Sequence, residues 1–268
     1  MDYRKISNKV KKIVNEFEDG QYFFDENEML ISKKGILSSR FWEYPVEFRH
    51  YISVFPNKYL DPILLTDKTL VKALISDYKK EIENPKTTET VLLRWLKTGN
   101  REVIIGSVLL NYTFGHHQAF LFEEFSLGTT FRPDFLLLGT SSDGFSMVFV
   151  ELEAIYGRLK LGDGNFGEVI RKGLNQIEDW KKYLENHYSS FKVELEKHLK
   201  DGDTLPKELQ YYNANRIHYV IIAGRRADFN EKLRDRKLSL EKDGIRLLHY
   251  DNLIDYTELF MNEKTNMY

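Results

Sequence analysis

The sequence predicts an α/β (α+β) protein: a mixed β-sheet flanked by helices, with a smaller α+β domain ahead of it. Three observations predict it. Short apolar runs at 120–127, 131–138 and 147–155 are separated by turn residues, a long helical stripe covers 165–187, and strand–helix alternation resumes over 218–260. The chain has 268 residues, 42% of them apolar, enough for one large core or two modest ones.

At the start, Ile6, Val10, Ile13, Val14 and Phe17 recur at helical spacing and stop before Asp19-Gly20. The stretch 21–52 reads as strand-like, rich in aromatic and β-branched residues and punctuated by Asp25-Glu26-Asn27 and Lys33-Lys34-Gly35. Asp67 then caps a helix carrying Leu70, Val71, Leu74, Ile75, Tyr78 and Ile82, which ends at Asn84-Pro85-Lys86-Thr87. That punctuation divides the chain into an N-terminal α+β domain, 1–84, and a larger domain, 85–268. Thr88 caps the next helix, which carries Glu89, Leu92, Leu93, Trp95 and Leu96. After the three strands, the helix over 165–187 buries Phe166, Val169, Ile170, Leu174, Ile177, Trp180 and Leu184. A strand at 218–223, a helix at 228–240, a strand at 245–250 and a helix at 251–260 complete the order.

Charge sets limits on partners. Lys and Arg number 39 against 41 Asp and Glu, so no global basic field exists and nucleic-acid binding would need a local patch. The absence of cysteine excludes disulfide scaffolds and thiolate zinc sites. The charged first residues lack an apolar leader core and no run is long enough to span a membrane, so a cytoplasmic protein without a membrane partner is expected.

The chemistry concentrates on the strand over 147–155. Alternation puts Val148, Val150, Leu152 and Ala154 on one face and Met147, Phe149, Glu151, Glu153 and Ile155 on the other. Two acids thus share an otherwise apolar face, where an unpaired carboxylate is costly. The preceding strand contributes Asp134. A turn centred between Ser142 and Asp143 sets Asp134 opposite Glu151, whereas an Asp143-Gly144 turn sets it opposite Glu153. Either register brings carboxylates together, and a hard dication such as Mg²⁺ relieves their repulsion and can activate water. Solvated acids on an exposed strand are the alternative.

Pro133-Asp134 followed by Val150-Glu151-Leu152-Glu153 resembles the two halves of the PD-(D/E)xK phosphodiesterase pattern. With Phe131-Arg132-Pro133-Asp134-Phe135, Leu174-Asn175-Gln176-Ile177-Glu178-Asp179-Trp180, Ile222-Ala223-Gly224-Arg225-Arg226 and His249-Tyr250-Asp251-Asn252-Leu253, the chain is similar to the C-terminal domain of the Shedu antiphage nucleases. That resemblance implies a restriction-endonuclease-like fold, Mg²⁺- or Mn²⁺-dependent DNA cleavage in bacterial defence, homo-oligomers, and a regulatory or sensing role for 1–84. It implies Asp134 and Glu151 as metal ligands, Glu89 as an acid beside the metal, and Gln176 as the helical glutamine near the active site.

One departure matters. The pattern carries lysine two residues after its second acid, and here that position is Glu153, which cannot supply positive charge. Some related sites draw the lysine from the following helix, where Lys172 shares a face with Gln176; an ordinary solvated helix lysine is the alternative. The alternatives are a catalytically silent nucleic-acid-binding or scaffold protein of the same fold, or a hydrolase acting on RNA or a nucleotide.

Other residues invite readings of their own. Arg225-Arg226, with Arg216, Arg234 and Arg236, could form a basic surface for phosphates. His116-His117 on an extended segment would point to opposite faces and suit a loop or substrate contact better than a metal site. The glycine-rich stretch around Gly162-Asp163-Gly164 lacks the Walker ending and reads as a flexible loop beside the site. Tyr211-Tyr212 and the aromatic residues from Phe41 to Phe48 are expected in the core.

Overall fold

A computed structural model describes residues 5–20, 22–24, 29–32, 37–40, 45–61, 64–65, 67–162 and 164–266. The punctuating residues Asp25-Glu26-Asn27 and Lys33-Lys34-Gly35, the aromatic residues 41–44, and Asp163 lie outside them.

The N-terminal part begins with α1 (Asn8–Glu18) and a three-stranded antiparallel sheet, β1 (Tyr22–Phe24), β2 (Met29–Ser32) and β3 (Leu37–Arg40). The strand-like reading of 21–52 fails at its end. Pro45 caps α2 (Val46–Ile52), whose Phe48 packs with Val10 and Val14 of α1 in a small cluster of its own. Proline suits a helix start because it has no amide hydrogen to leave unpaired.

The main sheet has the order β4-β5-β6-β7-β8, formed by β4 (Ala119–Glu123), β5 (Phe135–Ser141), β6 (Gly144–Leu152), β7 (Ile217–Ile222) and β8 (Ile245–Leu248). The β4-β5-β6 half is antiparallel and the β6-β7-β8 half parallel. Parallel pairing requires long crossovers. These are α6 (Glu168–Glu196), interrupted at His187 (φ −132°, ψ 30°), and α7 (Glu231–Lys242). Of the two hairpin registers open to β5–β6, the structure has Phe135 opposite Val150, with Ser142 and Asp143 at the turn, so Asp134 arrives beside Glu151.

Two apolar layers sandwich the sheet. One face buries Met147, Phe149, Tyr219 and Ile221 under Ile170, Ile177, Trp180 and Leu184 of α6 and Leu233 of α7. The other face buries Val148, Val150, Leu152, Val220 and Ile222 against α3 (Lys68–Glu83), α4 (Glu89–Leu96), α5 (Glu102–Gly106) and α8 (Tyr250–Asn266). Asp67 caps α3 through the Thr69 and Leu70 amides, and Thr88 caps α4 through the Val91 amide, as the sequence predicts. The turn at Asn84 to Thr87 therefore lies between two helices that share one core, and α3 packs directly on α8. Tyr211 is 76% exposed rather than in the core, and Tyr212 is 38% exposed. No helix among the described residues is long and apolar enough to cross a membrane.

Candidate active site

The site forms where the central strand β6 ends beneath the first turns of α6. Strand parity puts Glu151 on the Phe149 face, and Glu153, just past the strand, keeps the same side; both are buried, at 4% and 1% exposure. Gly173 lets the helix settle onto them. A Cβ there would stand 3.3 Å from Glu153 Cγ and 3.1 Å from Ile221 Cγ2. A glycine inside a helix costs about 1 kcal/mol against alanine, so it marks a need for close approach.

Residues on either side of Gly173 meet the acids. Lys172 Nζ donates to Glu153 Oε2 at 2.9 Å and lies 3.5 Å from Glu89 Oε2 in the first turn of α4. Gln176, one turn further along, donates from Nε2 to Glu151 Oε1 at 2.5 Å. Asp134 Oδ2 accepts the Leu152 backbone amide at 2.8 Å, which pins it across the β5–β6 ladder. Of the residues singled out in the sequence, Asp134, Glu151, Glu153, Lys172, Gln176 and Glu89 thus form one constellation.

Burial dominates its electrostatics. Desolvation, then the charges of Asp134 and Glu153, pushes the Glu151 carboxyl far above the usual range against the Gln176 hydrogen bond. Desolvation likewise raises Asp134, outweighing the Leu152 amide, and the Glu89 charge adds to it. Glu153 is raised by desolvation despite its bond to Lys172. For Lys172 itself, desolvation pulls downward, but the Glu153 bond and the surrounding acids leave its pKa raised.

The acids are only partly satisfied. Glu151 Oε2, Glu153 Oε1 and Gln176 Oε1 are buried without a hydrogen-bond partner. No group of three or more His, Asp or Glu is disposed to cage a metal ion among the described residues. Asp134 and Glu151, with Glu151 Oε2 uncommitted, are oxygen donors of the kind a hard cation takes.

Two supports escaped the sequence reading. Tyr250 lies within the His249–Leu253 stretch, the signal that could have found it. Its buried hydroxyl donates to the Glu153 backbone carbonyl at 2.6 Å. Gly173 is the other.

Several expected contacts lie elsewhere. The Arg225 guanidinium is committed to Asp251 at 2.8 and 3.1 Å and to the Ile82 carbonyl at 2.7 Å, and Arg226 pairs with Asp255. Arg216 binds the Phe145 and Asp143 carbonyls at the opposite end of the sheet, so it makes no common patch with Arg225 and Arg226. His116 and His117 turn toward each other, with ring centroids 4.5 Å apart and edge-to-face, rather than to opposite faces.

Fold and site together define an α+β protein with a buried, partly neutralised carboxylate cluster at the carboxyl end of its central strand. The family description "Shedu protein SduA, C-terminal" matches residues 15–254, and the chain belongs to the Shedu family. That membership suggests antiphage defence. No curated protein matches the chain.

Proposed function

We propose that this protein is a divalent-metal-dependent DNA endonuclease of antiphage defence, with a restriction-endonuclease-like sheet and a homo-oligomeric assembly. The observation that carries the reading is the pairing of half-buried Asp134 with buried Glu151, both with raised proton affinity and with one Glu151 oxygen lacking a partner. When bound there, Mg²⁺ or Mn²⁺ supplies Lewis acidity at the phosphate and a water acidic enough to attack it.

The chain's own groups do the rest. Gln176 orients Glu151, and the Leu152 amide orients Asp134. Lys172 brings the ammonium that Glu153 cannot supply, and Glu153 holds that ammonium at the mouth of the cluster, where charge develops on an attacked phosphate. Purified protein with Mg²⁺ or Mn²⁺ should cut double-stranded DNA in preference to single-stranded DNA and RNA, and Asp134→Ala should abolish cutting and defence in cells. Failure to cut any DNA form, with defence intact in Asp134→Ala, overturns the reading.

A specific observation favours a second reading. Lys172 and Gln176 already engage Glu153 and Glu151, so the cluster is partly neutralised without an ion and could serve a catalytically silent DNA-binding scaffold. DNA binding that persists in chelator and is unchanged in Glu151→Gln, with no cleavage, would select it.

A further inference from the structure

The segment joining β6 to α6 packs tightly against the fold. Leu159 is buried, the Gly167 amide donates to its carbonyl at 2.6 Å, Lys160 bridges to Phe166, and the Leu161 amide donates to Asn165 O at 2.8 Å. The glycines here and nearby serve contact. A Cβ on Gly167 would stand 1.9 Å from the Arg158 carbonyl oxygen, one on Gly157 2.8 Å from Val169 Cγ2, and one on Gly224 2.2 Å from Leu159 Cδ1. The residues flanking Gly162-Asp163-Gly164, over 157–161 and 165–167, are thus seated on the start of α6 and the end of β7.

That anchoring dictates what faces outward. With Leu159 turned in, Arg158 and Lys160 on either side are both exposed. Helix α7 lies alongside, with the Arg236 guanidinium 6.0 Å from the Phe166 ring centre and the Lys232 stem against Gly164. Arg171, exposed in the first turns of α6, continues the line to Lys172 at the acid cluster. Among the described residues, Arg158, Lys160, Arg171, Lys232 and Arg236 form no ion pair, whereas Arg225 and Arg226 are both neutralised by α8 acids. Glu168 and Glu231 interrupt the line, but each sits in the first turn of its helix, where it offsets the dipole.

We propose that Arg158, Lys160, Arg171, Lys232 and Arg236 form a phosphate-contacting margin that receives the backbone of duplex DNA and leads it to Lys172 and the acids. This rests on the nuclease reading above. A row of exposed, uncommitted cations suits the dense, regular charge of a duplex. Single-strand grooves instead combine cations with several open aromatic platforms, and here Phe166 is half-buried with Arg236 beside it, which leaves Tyr156, 43% exposed, with its hydroxyl held by the Ile82 carbonyl at 2.6 Å.

The test is binding of the full chain to a labelled short duplex in EDTA, by fluorescence anisotropy across a salt series. Arg158→Gln/Lys160→Gln, Arg171→Gln and Arg236→Gln should each weaken binding several-fold. Each should also lower the slope of log affinity against log salt by ~0.9 per lost phosphate contact. Arg171→Lys should restore the slope, and Lys192→Gln, on α6 beyond His187, should leave it unchanged. Thermal melts confirm that these surface variants fold. Wild-type affinity and slope in the Gln variants overturn the margin while leaving the nuclease reading intact. Normal margin behaviour without cleavage under Mg²⁺ or Mn²⁺ overturns the nuclease reading alone. Absence of duplex binding, or tighter binding of single strands or RNA, overturns the margin.

Discussion

Glu151 has two hydrogen-bonding oxygens but one partner, and its nearest charged neighbours include two more carboxyls. Its folded-state proton affinity, like that of Asp134, exceeds that of the unfolded chain. Protonation therefore favours the native state below the ordinary carboxylate range, and that contribution is lost as pH rises toward about 7 for Asp134 and about 9 for Glu151. In EDTA, the melting temperature should fall between about pH 5 and 9. Glu151→Gln should flatten that fall and be more stable at the alkaline end by about 1–3 kcal/mol, since each tenfold rise in proton affinity on folding corresponds to roughly 1.4 kcal/mol. Wild type should regain stability with added Mg²⁺ at about pH 8 and Glu151→Gln should not, since an ion bound only by the native state raises its melting point. Calorimetric scans decide the point, and superimposable pH profiles would contradict it.

Helix α6 is the element on which the site depends, and much of it was legible. Its apolar stripe, the 172/176 face and the β5–β6 hairpin follow from periodicity and turn residues. The turn residues allow two hairpin registers, between which pairing over 135–141 decides. Less legible were α2, read as strand-like from Phe48 and Tyr51 although Pro45 begins a helix, and α5 with the following turn to Asn111. There Val103, Ile104, Ile105, Val108 and Leu109 are all buried, so burial all round leaves no amphipathic period to read. The pairing of Lys172 with Glu153 gives this scale its test. Lys172→Met should destabilise the fold by about 1–3 kcal/mol near pH 8, because a buried carboxylate loses its counter-charge while Lys172 itself is half exposed. The loss should shrink near pH 5, where Glu153 can take up a proton. Urea melts at both pH values measure it, and an equal loss at both would show that packing rather than charge is at stake.

Across the whole molecule, distant segments meet at Arg225, which joins the end of β7, the first turn of α8 through Asp251 and the last turn of α3 through Ile82. The sequence placed Arg225 on a nucleic-acid surface because its partners, 26 and 143 residues away, belong to tertiary structure and leave no local signature. Arg225→Ala should destabilise the protein by about 1–3 kcal/mol, because Asp251 loses its guanidinium counter-charge and keeps the Arg226 amide, and the Ile82 carbonyl loses one of its two donors, and should change duplex affinity little. Paired chemical-denaturation and anisotropy measurements separate the two effects. A large loss of affinity with unchanged stability would return this arginine to the binding surface.

The seating of α6 over β6 has a kinetic corollary. Hairpin partners close in sequence can zip early, with their carboxylates still hydrated. The crossover helix must then strip that water, so ionised acids raise the barrier to its docking. Refolding followed by stopped-flow fluorescence should therefore quicken as the buffer is acidified from neutrality, and in Glu151→Gln the rate should respond far less.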